Sequence, residues 1–284
     1  MAQSLKRIKS RLRSIENTRK VTGAMQMISA TKLHRTTKVL MSAKPYLLKL
    51  ESLLNNIASG PVSLVGPFFT ARPEVKRIAL CLVTSDGGLC GAYNNNIIRV
   101  AEDFIEKYGR DRIRLIAVGQ KGYKYFRSLG IIASNPYLGL NGRYVEPVAD
   151  DIGHTLIDSF LNNEVDEVHI AYTHFETVLR VRPVVVKFLN IERAAGSNAE
   201  YIFEPNVSKI IEELVPRYLL VKIRCVLLDS LTSEHSARTV AMKAATDNAG
   251  DLLHSLTQLR NKVRQANITQ EIMEIISSVE ALKG

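Results

Sequence analysis

The sequence predicts an α/β protein: a central domain with a mainly parallel sheet, set between N- and C-terminal helices that pair as a long antiparallel coiled coil. Two observations predict this. Apolar residues at both ends recur at alternating spacings of three and four, the signature of a helix-pairing seam. Between them, β-rich runs alternate with helical stretches, the order that generates βαβ units. A third observation concerns the surface. The 284 residues carry 38 Lys+Arg against 28 Asp+Glu, a net charge of +10, yet residues 1–57 alone hold 12 basic and 2 acidic residues. The excess is local, which excludes a basic surface spread over the whole fold. Apolar residues at 46% and charged residues at 23% exclude wholesale disorder. No apolar run reaches the roughly 18–20 residues of a membrane span.

The first segment, 1–57, predicts a helix. Leu5, Ile8, Leu12 and Ile15 form one stripe, and Val21, Met25 and Ile28 continue it after a phase shift. Gly23 costs about 1 kcal/mol relative to Ala, and Pro45 predicts a kink or break. The pattern resumes at Leu47, Leu48, Leu50, Leu53 and Leu54 and ends before Gly60 and Pro61. A continuous helix of this length, roughly 85 Å at about 1.5 Å per residue, should project from a compact domain. Its basic residues surround it instead of forming one stripe. Aromatics are missing from its first 45 residues, which removes base stacking from a nucleic-acid reading and favours an acidic protein surface.

The middle segment, 75–192, predicts a Rossmann-like domain. Strands are expected at 77–84, 113–118, 131–133, 168–173 and 181–189, and helices at 95–107, 119–129 and 148–161. The turn at 85–91 contains Gly87, Gly88 and Gly91 after the first strand, where doubly wound folds hold phosphates. It is neither G-x-G-x-x-G nor a P-loop, so the glycines read as a tight strand-to-helix crossover. Cys81, Cys90 and Cys225 fit no metal spacing and no disulfide framework. His169 and His174 flank the end of a strand five residues apart, a weak signal for a metal site, since no HxxxH or HxH pair is present. No set of residues suggests covalent catalysis or a cofactor.

The last segment, 207–284, is helical again. Ile210 and Leu214 open it, Pro216 predicts a kink or restart, and Val221, Cys225 and Leu228 follow at 4-3. Leu252, Leu256, Leu259, Val263 and Ala266 then run 4-3-4-3, and Ile268, Ile272, Ile275, Val279 and Leu282 repeat this two residues out of phase. A bundle wrapped round the α/β core is the alternative use of these helices; the 3.5-residue spacing favours a coiled coil.

Three stretches carry a family resemblance. They are 15–25, beginning Ile15-Glu16-Asn17-Thr18-Arg19-Lys20; the turn Ser85-Asp86-Gly87-Gly88-Leu89-Cys90-Gly91 with Asn94; and 233–249, beginning Ser233-Glu234-His235-Ser236-Ala237-Arg238 and continuing at 264–275. On these the chain resembles the gamma subunit of F-type ATP synthases along essentially its whole length. Ser278 and Val279 stand where that family usually has Gly-Ala, Gly87 stands where Arg is common, and no paired-cysteine insert precedes the C-terminal helix.

The resemblance implies a non-catalytic rotor shaft without a cofactor, turning inside a ring of alpha and beta subunits. It implies contacts with an epsilon subunit and a membrane c ring. It also implies partner contacts at Arg19, Lys20, Met25 and Arg238 toward beta, at Thr269, Glu271 and Glu274 near the tip, and at Tyr201, Phe203 and Glu204 toward the c ring. The Met1 start points to the cytoplasmic side of a bacterial inner membrane, with a mature organelle protein as the alternative. Apart from the resemblance, a basic-helix nucleic-acid binder and a nucleotide-binding α/β enzyme stay open.

Overall fold

The computed structural model describes residues 2–59, 67–69, 72, 74–191 and 207–281. Its elements run α1 (Ala2–Ser59), β1 (Ile78–Val83), α2 (Tyr93–Tyr108), a 3-10 turn at Arg110–Arg112, β2 (Ile113–Val118), α3 (Gln120–Ser128), β3 (Asn135–Tyr137), α4 (Glu146–Leu161), β4 (Glu167–Phe175), β5 (Val181–Leu189) and α5 (Val207–Ala281). The chain forms two compact units, a smaller one of Met1–Ile28 with Thr239–Gly284 and a larger one of Ser29–Arg238.

The larger unit is organised by β1, six consecutive apolar residues all buried. Such a run fits a strand covered on both faces, and alternation assigns the faces. Leu80 and Leu82 join Ile97, Ala101, Ile105 and Phe126 of α2 and α3. Ala79, Cys81 and Val83 face Ile152, Leu156 and Phe160 of α4, Leu50 and Leu54 of α1, and Val215, Leu219 and Ile223 of α5. Cys81 is fully buried, and desolvation pushes its thiol up to about 12.

The sheet order is β3-β2-β1-β4-β5. β1 to β4 are mutually parallel and β5 is antiparallel to β4; the short connection 176–180 permits no other direction. The third strand is not at 131–133. There the backbone finishes the α3 terminus, Ile131 N–H donating to the Phe126 carbonyl, and Ile132 points to solvent. The strand forms four residues later, at Asn135–Tyr137. A propensity argument passes over Asn and Pro, but at a sheet edge Pro136 needs no ladder partner for its missing N–H. Pro183 stands on the opposite edge strand.

Neither proline ends its helix: α1 continues through Pro45 and α5 through Pro216. The burial of α1 also needs no phase shift. Leu5, Ile8, Leu12, Ile15, Thr22, Gln26, Ser29, Leu33, Thr36, Leu40, Ala43, Leu47, Leu50, Leu54 and Ile57 are all buried or half-buried. They hold one 3-4 rhythm, with the exposed Arg19 its single gap. Val21 and Ile28 are exposed instead. Apolarity lost the register because Thr22, Gln26, Ser29 and Thr36 fill it.

In the smaller unit the Thr22 and Thr246 hydroxyls meet at 2.8 Å. Met242 and Ala249 are buried there, and Leu253, Leu256, Arg260, Val263 and Asn267 are half-buried. The expected seam holds at Leu256 and Val263 and is displaced by one residue at its other positions: Leu252, Leu259 and Ala266 are exposed, and Leu253, Arg260 and Asn267 take their face. The second expected seam has no partner helix among the described residues. Counting antiparallel from Thr22 and Thr246 sets Leu5 opposite Val263, so α5 outruns the start of α1. Every described residue from 268 onward is exposed, and Leu282 lies outside the described residues.

Gly119 joins β2 to α3 at φ 91°, and an added Cβ would stand 2.1 Å from the Thr84 carbonyl oxygen; Gly109 has the same φ with nothing within 4 Å. Both Gly→Ala changes incur backbone strain of about 1–3 kcal/mol, and only Gly119→Ala adds a clash of comparable size. Urea unfolding should therefore show Gly119→Ala less stable than Gly109→Ala by at least about 1 kcal/mol.

Candidate functional site: a polar collar on α5 and two exposed helix surfaces

Four parallel strands send their C-terminal loops to one edge of the sheet. Asp86, in the turn after β1, ties three of these loops together. Its carboxylate accepts the N–H of Gln120 at 3.0 Å, of Gly139 at 3.1 Å and of Asn141 at 2.7 Å. Ser85 N–H and Oγ both donate to the Asn94 side-chain Oδ1 at 3.0 Å. The start of α3, where a phosphate would profit from the helix dipole, thus already holds this chain's own carboxylate.

These loops close on α5. Along 229–236 seven polar residues are buried: Asp229, Ser230, Thr232, Ser233, Glu234, His235 and Ser236. A polar group buried without a partner costs about 1–3 kcal/mol, so each demands one. Asp229 accepts the Phe175 N–H at 3.0 Å and faces His174 Nδ1 at 2.5 Å. Ser230 Oγ meets the Tyr93 hydroxyl at 2.8 Å. Ser233 donates to the Thr173 carbonyl at 3.0 Å, Ser236 to the Val178 carbonyl, and His235 Nε2 to the Gly142 carbonyl at 3.0 Å. Thr232 bonds back to Leu228 of its own helix. From α1, Lys32 donates to the Asn141 carbonyl at 3.4 Å.

Arg238 closes this collar. Its guanidinium donates to Glu234 at 2.7 Å and to the Gly88 carbonyl at 3.3 and 3.4 Å, with its side chain 11% exposed. Burial raises the Glu234 carboxyl above its ordinary range, and Asp86 adds to the effect against the pull of Arg238 and Lys32. Burial also drives His235 down to about 4, helped by Arg238 and Lys32, so it is a neutral hydrogen-bond donor at pH 7.

Most of the other expected contact residues that the structure describes are on exposed helix surfaces. Arg19 and Lys20 are exposed; Lys20 pairs with Glu16 at 3.1 Å, an exposed i,i+4 contact worth little. Met25 is half-buried. Thr269, Glu271 and Glu274 are exposed, Thr269 bonding the Gln265 carbonyl and Gln270 donating to Glu274. Beside them Ile268, Ile272, Met273, Ile275, Ile276 and Val279 are each about half exposed. Tyr201, Phe203 and Glu204 lie outside the described residues. Sequence reasoning named Asp86, Ser233 and Ser236 only as motif residues, and it passed over Ser230. Their available signal was a run of polar residues inside a helix, with no apolar residue but Leu231 between Asp229 and Ser236.

A family model described as ATP synthase matches residues 4–282. The ATP synthase gamma chain of Chlorobium phaeobacteroides is 38% identical, with 99% of each chain covered.

The chain belongs to the ATP synthase gamma-chain family.

The gamma chain of Exiguobacterium sibiricum is 40% identical over 98% of this chain and 99% of its own. In fold, this gamma chain is similar to a chain of the Euglena gracilis mitochondrial ATP synthase, solved as OSCP/F1/c-ring in rotational state 3. The TM-score is 0.69 at 14% identity, covering 99% of this chain and 95% of that one.

The collar of this gamma chain predicts a pH signature. An unfolded histidine takes its proton near 6.5 and folded His235 only near 4. Between these values the unfolded chain holds the extra proton, and stability falls as pH falls. The raised Glu234 carboxyl has the opposite sign, keeping its proton better when folded. Subtracting the stability profile of His235→Gln from that of the parent should isolate the histidine. The difference should slope upward from pH 4 to 6.5, by at most about 1.4 kcal/mol per pH unit, and be flat above.

Proposed function

We propose that this gamma chain is the central rotor shaft of a proton-translocating F-type ATP synthase, coupling rotation of a c ring to ATP synthesis or hydrolysis in alpha and beta subunits. The carrying observation is the end of α5. Six large apolar side chains between 268 and 281 are half exposed on one helix with no partner among the described residues, more than a monomeric surface normally leaves contiguous. A surrounding bearing formed by other subunits would cover them. Solved structures similar in fold come from the rotor and from the central stalk with c-ring of mitochondrial ATP synthases, which supports the same assignment.

In this reading the segments 1–57 and 207–284 form the coiled-coil shaft and 75–192 the α/β foot. The chain itself is non-catalytic. Arg19, Lys20 and Met25 face acidic loops of beta, and so does Arg238, whose guanidinium is oriented by its bonds to Glu234 and Gly88. Thr269, Glu271 and Glu274 sit in the bearing, and Tyr201, Phe203 and Glu204 dock on the c ring, beside an epsilon subunit. No described helix is long and apolar enough to cross a membrane. We place the chain on the cytoplasmic side of a bacterial inner membrane, held there through the complex.

Two outcomes are expected. Purified alone, the chain hydrolyses no ATP, and mixed with alpha and beta subunits it co-elutes with them; elution apart from both would refute the assignment. In the reconstituted complex, Arg19→Ala with Lys20→Ala should lower ATP-driven proton pumping by about two- to fivefold, the effect of about 0.5–1 kcal/mol in lost charge contacts, with assembly intact.

A further inference from the structure

We propose that the collar is a rotational lock. It fixes the angular setting of α5 about its own axis, so that torque passes between helix and α/β domain through the hydrogen bonds of 229–236. The inference rests on the rotor function proposed above. Its basis is the difference between the two kinds of contact that α5 makes in the larger unit. At Val215, Leu219, Ile223 and Val226 it is held by apolar packing, which is non-directional. A helix held only in that way can turn and repack. At 229–236 it is held by hydrogen bonds, which weaken steeply when misaligned.

The bonds come from different sides. Successive residues turn by about 100° around a helix. Asp229, Ser233 and Ser236 therefore lie within about 60° of one another, Ser230 about 100° from Asp229, and His235 about 240° from it. Their partners are correspondingly distinct: the end of β4 and its hairpin, Tyr93 of α2, and Gly142 of the β3–α4 loop.

The acceptors cannot follow a turning helix. The Thr173 carbonyl belongs to the sheet. Gly142, at φ 67°, follows Asn141 and Gly139, whose N–H groups Asp86 holds, and a Cβ added to it would stand 2.9 Å from His235. Turning α5 by one residue would separate Ser230, Ser233, His235 and Ser236 from their partners at once, and would leave buried polar groups on both sides. Two arrangements of the helix are therefore separated by a step and not by a continuous slide.

The test uses the whole complex reconstituted in vesicles with Ser233→Ala/Ser236→Ala. Hydrolysis with the gradient dissipated should stay within about twofold of the parent. The proton gradient sustained per ATP hydrolysed should fall by about fivefold or more, the effect of two lost bonds at about 0.5–1.5 kcal/mol each. The slip should grow as the opposing gradient is raised. Ser233→Thr, which keeps the hydroxyl, should restore coupling. If the double variant does not assemble, Tyr93→Phe and Ser236→Ala singly, each removing one hydroxyl, take its place. Gradient loss in either, with unloaded hydrolysis retained, supports the lock. Unchanged gradients in every variant that assembles would overturn it. Failure of the rotor assignment would look different: the parent chain itself would not join alpha and beta subunits.

Discussion

Seven polar residues in eight consecutive positions of a helix, all buried, is the constraint on which much of the larger unit depends. Burial without partners would cost about as much as a domain's whole stability margin, so the loops at the C-terminal edge of the sheet must supply donors and acceptors at defined places. This accounts for features that are otherwise unconnected. Asp86 commits its carboxylate to three loop N–H groups because those loops must hold still. Gly142 adopts a positive φ because its carbonyl must face His235 where a Cβ cannot fit. The edge that binds ligands in open α/β sheets is here filled by the chain's own helix.

Much of the fold was legible because β1, β2 and β5 are runs of apolar or β-branched residues, and periodicity detects those well. It failed where the residue type and the structural role part company. Asn135–Tyr137 is a strand by position at an edge, and propensity assigned the strand to the more apolar residues upstream. In α1, Thr22, Ser29 and Thr36 sit in the seam while Val21 and Ile28 face outward, so apolarity reported a phase shift that the backbone does not make. In α5, Leu252 and Leu259 drew the predicted seam off by one residue. The candidate site was legible in parts. The motif 233–238 stood out, but weight fell on the charge of Arg238. Its guanidinium is largely engaged within the chain, and the neighbouring serines, which have no charge to attract notice, make the tertiary bonds.

The misplaced leucines and the shifted seam share one cause. A helix that passes among several other surfaces carries apolar residues for each of them, and a single chain displays only the surface its own partner covers. Val21, Met27, Ile28, Leu252 and Leu259 are exposed, and the rotor reading proposed above gives them the same account as the six apolar side chains of 268–281. Sequence periodicity adds these faces together, and only a structure separates them.

The composition of the α1 seam also bears on how the chain is made. α1 is synthesised some 150 residues before α5 begins, and during that interval it has no mate. A seam of leucines would readily find the same helix on a neighbouring nascent chain. Thr22, Gln26, Ser29 and Thr36 give little apolar area to such a pairing, and 12 basic residues among the first 57 set like charges against each other in it. The features that make α1 a weak coiled-coil strand on its own also keep it unattached until the one helix that fits it emerges.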